Sequence, residues 1–317
     1  MCGVCGIVGP ASESRADLLR RMSESLRHRG PDADGFYEDD DVALGMRRLS
    51  IIDVVGGTQP VYSETRNIAA VFNGEIYNFR QLRSRLAARG HRFGSGSDSE
   101  VIPHLYEEYG TQFAEHLRGM FAIALWDRTN HTLVLVRDRL GKKPLYYTQT
   151  ADGGLVFGSE LKAVLENPAV PRTPSPLAIS QYLTYQYVPA PLSAVERVRK
   201  LEPGHYLVWQ DGEATVRPYW TLRFADASTS ASDCDEASLA QQLRDRIEEC
   251  VRIRLVSERP LGAFLSGGLD SSAIVAAMSR VGSGTVKTFS IGFEEESHNE
   301  LPFARRVAQR YGTDHTR

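Results

Sequence analysis

Cys2 stands directly behind the initiating methionine. Removal of Met1 would leave a residue carrying both a thiol and a free α-amine, with ordinary pKa values of about 8.5 and about 7.7–8.0. Such a residue can supply a nucleophile and, directly or through a water, the base that activates it. Gly3 has no side chain, so a substrate can come close to the backbone there. Cys2-Gly-Val-Cys5 has C-x-x-C spacing, but no second such pair exists and no helix follows, so Cys5 reads as a small buried strand residue. A terminal cysteine taken alone is a weak signal.

Three further segments strengthen it. Arg48-Leu49-Ser50-Ile51 sets a cation beside an apolar stretch, Asn73 to Asn78 (NGEIYN) joins the end of a strand to a helix start, and Gly96-Ser97-Asp98-Ser99-Glu100 opens another helix. Together they offer what a free amino acid needs. Arg48 can take a carboxylate bidentately, Glu75 and Asp98 can take an ammonium, and Asn73 with the Gly74 N–H can hold an oxyanion. Each also has a bland reading: a turn at Asn73-Gly74, a helix cap at Asp98, a surface charge at Arg48.

A different chemistry stands further on. Leu261–Leu265 is apolar, follows Pro260 and runs into Ser266-Gly267-Gly268-Leu269-Asp270-Ser271-Ser272, after which a helix is expected from Ala273 to Met278. Glycines between a strand and a helix let backbone N–H groups converge on an anion at the helix N-terminus. Ser266, Ser271 and Ser272 can add hydroxyl donors. The loop lacks the Gly-Lys-Ser/Thr of a Walker A loop and the spacing of a dinucleotide fingerprint.

The elements that must position these groups fall into two patterns. Strand-like runs at Gly3–Gly9, Val42–Met46, Ile68–Phe72, Met120–Trp126, Thr132–Arg137, Leu145–Tyr147 and Leu155–Phe157 predict antiparallel sheets with helices outside them. Helical spacing is read at Leu18, Leu19, Met22 and Leu26. A second helix runs from an Asn78 cap to Gly90, and a third from near Asp98 to Gly110, where Pro103 should bend it or delay its start. Small and acidic residues at Ala225–Glu236 predict a linker. Beyond them helices and strands alternate, as in a parallel α/β domain.

Composition sets the frame. At 317 residues, 42% hydrophobic and 24% charged, the chain reads as an ordinary globular protein with room for two domains. A net charge of -3 argues against a nucleic-acid or membrane-surface binder. No apolar run approaches the roughly 20 residues of a membrane span. Four cysteines are too few for a disulfide scaffold, so a cytoplasmic setting is expected.

Taken in order, Cys2-Gly3, RHRGPD (Arg27–Asp32), RLSI (Arg48–Ile51), NGEIYN, GSDSE (Gly96–Glu100), RDRLGKKPLYY (Arg137–Tyr147), FGSELKA (Phe157–Ala163), YLTYQYVPAP (Tyr182–Pro191) and LEPGHYL (Leu201–Leu207) resemble the glutamine-hydrolysing domain of asparagine synthetases. The resemblance implies an α+β N-terminal-nucleophile sandwich, two antiparallel sheets between helix layers, over residues 1–220. It implies Cys2 as the nucleophile toward the glutamine carboxamide and Asn73 and Gly74 as the oxyanion site. Arg48, Glu75 and Asp98 would hold the amino-acid end of L-glutamine.

SGGLDSS is similar to the pyrophosphate loop of enzymes that cleave ATP to AMP and pyrophosphate. The strand Thr288–Phe293 resembles the family strand that lines the adenine pocket, with Phe264 and Ile291 at the adenosine. Ser266, Gly267, Gly268, Leu269, Asp270, Ser271 and Ser272 would then bind ATP. Asp270 is the residue pointing to Mg²⁺, and metal ligands are otherwise left open.

The expected arrangement is therefore the sandwich, a linker over 221–236, and the beginning of an α/β ATP-pyrophosphatase-type synthetase domain over 237–317. The 81 residues from Ala237 onward are short for a full domain of roughly 100–150 residues. The expected reaction hydrolyses L-glutamine and amidates an adenylated carboxylate, L-aspartate, giving L-asparagine, L-glutamate, AMP and diphosphate. The alternatives are a relative amidating another carboxylic acid in secondary metabolism, a cyclising ligase resembling β-lactam synthetase, and a non-catalytic glutamine-binding regulatory module. Members of the family often form dimers, and the oligomeric state is left open.

Overall fold

A strand buried on both faces must be apolar throughout, and the first strand meets that requirement: β1 (Gly3–Val8) is buried at every position. The computed structural model describes residues 2–10, 14–224 and 235–317. Met1, whose removal is expected, and Ala225–Cys234, most of the expected linker, lie outside the described residues. The chain divides into two compact units, Met1–Leu222 and Arg223–Arg317.

In the first unit β1 is followed by α1 (Arg15–Ser25), β2 (Ala33–Glu38), β3 (Val42–Arg48), β4 (Val61–Tyr62), β5 (Ile68–Ile76), α2 (Phe79–Ala87) and α3 (Val101–Tyr109). A 3₁₀ turn over Gly110–His116 leads to β6 (Gly119–Asp127), β7 (Thr132–Arg137), β8 (Tyr146–Gln149), β9 (Leu155–Gly158), α4 (Leu161–Val164) and α5 (Pro176–Tyr185). Then come β10 (Arg199–Lys200), β11 (His205–Gln210) and β12 (Glu213–Pro218). Two six-stranded antiparallel sheets result, ordered β10-β8-β9-β1-β3-β2 and β12-β11-β7-β6-β5-β4.

The sheets face each other over one core. Val4, Val8, Leu44 and Met46 of the first meet Val71, Ala124, Trp126, Leu135 and Leu207 of the second. On the far face of the first sheet, Cys5, Ile7 and Ala43 pack against Leu18, Leu19 and Met22 of α1 and against α4. The expected helix layers on the sheets are therefore present, and Cys5 is the buried strand residue it was read as, its thiol pushed up to about 12 by burial. α1 begins where Ser14 caps the Asp17 N–H. α3 begins at Val101, the delayed start that Pro103 was expected to impose, and is capped at Gly110; Pro103 then falls in the first turn, where a missing N–H breaks no intrahelical bond.

The second unit holds α6 (Glu236–Arg252), β13 (Gly262–Phe264), α7 (Leu269–Val281), β14 (Lys287–Phe289), α8 (Leu301–Tyr311) and β15 (Asp314–Thr316). Its three strands are parallel, in the order β13-β14-β15. Leu265 packs against Val275 of α7 and Ala304 and Ala308 of α8, while α6 packs on α7 through Val251 and Met278. Phe264, Phe289 and Ile291 are exposed.

Leu135 is fully buried between the two sheets. Leu135→Ala is expected to cost about 2–5 kcal/mol, read as a lowered urea midpoint of the first unit's near-UV signal. A shift below about 1 kcal/mol would mean the sheets are not close-packed there.

Candidate active site

The ends of the two sheets meet at a cavity of about 300 Å³ lined by Cys2, Arg48, Leu49, Asn73, Gly74, Glu75, Ser97, Asp98, Met120 and Lys143, among others. All six residues read from the sequence as a glutamine site therefore come together, although they span almost a hundred positions of chain. Cys2 arrives from the first sheet, directly ahead of the inner strand β1. Asn73, Gly74 and Glu75 arrive from β5 of the second.

Cys2 is held from several sides. Its carbonyl accepts the Arg29 Nε–H at 2.9 Å, and Arg29 is itself paired with Glu160 at 2.9 Å. Its Sγ accepts the Leu49 N–H at 3.3 Å and lies 3.6 Å from the Leu49 carbonyl. Asp32 fixes the Leu49 segment by accepting the Ser50 N–H at 2.9 Å. Burial pushes the Cys2 thiol up, while the Leu49 N–H and the nearby Arg48 and Lys143 charges oppose it.

Asn73 lies inside β5, not at a strand end as the sequence suggested, because pairing with β6 continues to Ile76. It shares a face with Val71, which packs between the sheets, so its side chain turns toward the sheet that carries Cys2. Asn73 is 1% exposed, yet neither its amide oxygen nor its amide nitrogen has a hydrogen-bond partner. Buried polar groups are almost always paired, so this amide is an exception, and it lines the cavity. A methyl group at Gly74 would stand 2.0 Å from the Met120 carbonyl oxygen, so only glycine lets β5 and β6 approach here.

The edge of β5 away from β6 completes the arrangement. The Phe72 N–H donates to Gln59 Oε1 at 2.7 Å and the Ile76 N–H to Asp98 Oδ2 at 2.8 Å. By the two-residue alternation of a strand, the Gly74 N–H between them faces the same edge.

The charged groups depart in part from expectation. The Arg48 guanidinium is buried and donates to the main-chain carbonyls of Ile52, Asp53 and Val54, at 3.2, 2.6 and 3.2 Å. It thus fastens this loop, and only the rest of its five donors can face a carboxylate. Asp98 is pushed up to about 7, first by burial and also by the Glu75 charge, against the pull of the Ile76 N–H.

Lys143, given no role from the sequence, also lines the cavity, and burial lowers its pKa against the attraction of Glu75 and Cys2. Its loop is fixed by Asp138, whose carboxylate accepts the N–H groups of Leu140, Lys142 and Lys143. It is fixed again by Arg137, which donates to the carbonyls of Gly141, Lys143 and Leu201. The sequence signal for Lys143 was its place in RDRLGKKPLYY.

In the second unit, Ser266, Gly267 and Gly268 connect β13 to α7. Gly267 takes φ +85°, and a Cβ there would meet the Phe303 backbone at 2.4 Å, so the loop lies flat on α8. Ser266 Oγ accepts the Gly268 N–H at 3.3 Å and meets Ser271 Oγ at 3.0 Å. No side chain caps α7, which leaves its first N–H groups, at Leu269, Asp270 and Ser271, for an anion. Phe264, Ser266, Ser271 and Ile291 line a cavity of about 380 Å³. Gly267, Gly268, Leu269, Asp270 and Ser272 lie beside it along the loop and the first turn of α7.

Residues 1–220 match the glutamine amidotransferase domain family, and residues 242–317 match the asparagine synthase family. Asparagine synthetase [glutamine-hydrolyzing] 1 of Bacillus subtilis is 38% identical over 99% of this chain and 49% of its own length. Amidase chry2 of Gibberella zeae is 34% identical over 99% of this chain and 50% of its own. The chain thus spans about half the length of these curated relatives. Among solved structures, the glutamine phosphoribosylpyrophosphate amidotransferase of B. subtilis superposes with a TM-score of 0.54 at 17% identity, covering 99% of this chain and 90% of that one, a likeness of fold alone.

Carbon-13 NMR of the labelled Asp98 carboxyl is expected to show a midpoint near pH 7, since burial favours its neutral acid form. Glu75→Gln removes a negative neighbour and should move that midpoint down. A midpoint in the usual carboxylate range of about 4 would mean the carboxyl is solvated.

Proposed function

The chain is a member of the glutamine amidotransferase family joined to an asparagine synthase segment, the pairing found in glutamine-hydrolysing asparagine synthetases, and from that premise we propose that it hydrolyses L-glutamine at Cys2 and delivers the ammonia to a carboxylate activated by ATP. The observation that carries the first half is the unpartnered Asn73 amide in the cavity that Cys2 lines.

The steps follow from the groups present. With Met1 removed, the Cys2 α-amine, directly or through a water, takes the thiol proton. The sulfur attacks the carboxamide carbon. The oxygen becomes an anion between Asn73 Nδ2 and the Gly74 N–H, donors that β5 sets in place before charge develops. The nitrogen, protonated, leaves as ammonia, and water hydrolyses the thioester to L-glutamate. Glu75 and Asp98 take the substrate ammonium, and Arg48 takes the carboxylate with the donors its loop leaves over.

The second unit supports the ATP reading. The uncapped start of α7 and the hydroxyls of Ser266, Ser271 and Ser272 suit a pyrophosphate, and the apolar Phe264 and Ile291 suit an adenine ring. Mg²⁺ would supply charge neutralisation to the phosphates, with Asp270 in the first turn of α7 the carboxylate nearest that role in sequence. The acceptor we propose is L-aspartate. A relative named as an amidase, at 34% identity against 38% for the synthetase, favours keeping a second reading, a different carboxylic acid.

Cys2→Ala is expected to abolish release of glutamate from glutamine while the chain still binds glutamine. Release at the wild-type rate would overturn the nucleophile. Asn73→Ala should lower kcat by about 10²–10³ with KM little changed. Turnover of the complete protein with glutamine, ATP and Mg²⁺ is then compared for L-aspartate and other carboxylic acids, with AMP as the readout. AMP formed only with another acid would move the acceptor, and binding of glutamine without any turnover would mean a regulatory module.

A further inference from the structure

Four side chains from three separate segments of the first unit converge at a point that is not part of the Cys2 cavity. Glu64 follows β4, His91 lies beyond the end of α2, and His104 and Glu107 stand one turn apart on α3. The sequence His104-Leu-Tyr-Glu107 puts the last two on one helix face. One ligand-capable atom of each lies within 4.8 Å of all the others.

The two shortest of the separations match those of a coordination shell, and the other two are about half an ångström longer. His91 Nδ1 is 3.2 Å from Glu64 Oε1 and 3.9 Å from Glu107 Oε2. His104 Nδ1 is 3.1 Å from Glu64 Oε2 and 3.8 Å from Glu107 Oε2. Neighbouring donors around a tetrahedral zinc ion, with bonds of about 2.0–2.2 Å, are about 3.3 Å apart.

Two independent features point to a ligand rather than to a solvated cluster. His104 is 1% exposed, yet neither ring nitrogen has a hydrogen-bond partner, and Nδ1 faces the Glu64 carboxylate without the alignment of a hydrogen bond. Burial of an imidazole with no partner is costly unless something else takes its lone pair. His91, for its part, meets a carboxylate at each ring nitrogen: Nδ1 is within hydrogen-bond reach of Glu64 Oε1 at 3.2 Å, and behind it Nε2 is 3.2 Å from Glu108 Oε1, with Glu108 ion-paired to Arg89. A carboxylate on the far nitrogen of a ligating histidine fixes the proton there and aims the lone pair of the other nitrogen at the metal.

We propose that Glu64, His91, His104 and Glu107 form a structural binding site for a divalent transition-metal cation of the zinc class. Two imidazoles with two carboxylates suit such an ion better than calcium or magnesium, which take oxygen ligands. The site ties the turn after β4 and the segment after α2 to α3. The segment after α2 runs on through Gly96 to Asp98, so a bound ion would brace the stretch that carries a wall of the Cys2 cavity.

The test titrates the chelator-stripped 317-residue chain with Zn²⁺ and with Co²⁺. One equivalent per chain is expected, with visible d–d bands of a four-coordinate Co²⁺, no thiolate charge-transfer band, and a melting temperature raised by the ion. His91→Ala and Glu107→Gln, at positions that are not fully buried, should each weaken binding strongly, and Glu108→Gln should weaken it by about 10–100-fold. Absence of stoichiometric binding, a thiolate band that disappears in Cys2→Ala, or affinity unchanged in both His91→Ala and Glu107→Gln would overturn the proposal. Failure to bind ammonium-bearing or amide ligands at Cys2 would not bear on it.

Discussion

The candidate site depends on a strand that outruns its neighbour. β4 pairs with β5 only at Ala69 and Ala70. From there to Ile76, β5 keeps β6 on one side and, among the described residues, has no strand on the other. The N–H groups on that open edge must be satisfied some other way. Gln59 takes the one at Phe72 and Asp98 the one at Ile76. Gly74 falls between these two side chains and opens toward the cavity. Because successive residues of a strand point to opposite faces, the Asn73 amide is turned into the sandwich at the same level. Two donors are thus brought side by side by the strand itself, and no loop has to hold them.

The other sheet delivers the sulfur with comparable economy. Cys2 needs no extended structure of its own, since β1 starts at the next residue and is gripped by β3 and β9 on its two sides. What remains is to fix the sulfur and the loops around it, and most charged residues of the motifs serve that purpose. Arg29 grips the Cys2 carbonyl, Asp32 the Ser50 N–H, Arg48 three carbonyls of the loop after β3, and Arg137 and Asp138 the loop that presents Lys143. A guanidinium suits such work because its planar donors span several carbonyls at once. Charged residues that look like chemistry in a sequence are here often the fasteners of main chain.

This distinction explains what could be read without the structure. Strands buried on both faces are legible, and β1, β3, β6 and β7 coincide closely with their apolar runs. β2 and β12 alternate between exposed and half-buried residues and carry Gly35, Asp34, Glu38 and Glu213, so no apolar run marks them. β4 and β10 are two residues each, below what any periodicity can reveal. The identities of the cavity residues were legible because their motifs are specific in order and spacing. Their states were not. That Asn73 is without a partner, that Arg48 is already bound to carbonyls, and that Lys143 joins the wall all depend on contacts between distant segments. Glu64, His91 and His104 likewise meet only after folding, and the His104-Glu107 spacing on α3 is all that the sequence could have offered.

The cavity is lined by charges of both signs. Glu75 and Asp98 are its acidic wall, and Arg48 and Lys143 are its basic groups. Burial works against both signs, holding the proton on Asp98 up to about pH 7 and lowering the pKa of Lys143. A zwitterion would reverse both penalties, because an ammonium beside Asp98 favours its carboxylate and a carboxylate beside Lys143 favours its cation. A molecule with only one of these charges would relieve one wall and leave the other strained. By linkage, binding and ionisation would then be a single event: a bound ammonium would draw the Asp98 pKa down, and Asp98 would give up its proton as such a ligand entered. On the proposed reading, selectivity for a free amino acid over an amine or a simple acid would follow from burying both sets of charges, since in open water the same four charges would be screened and would discriminate little.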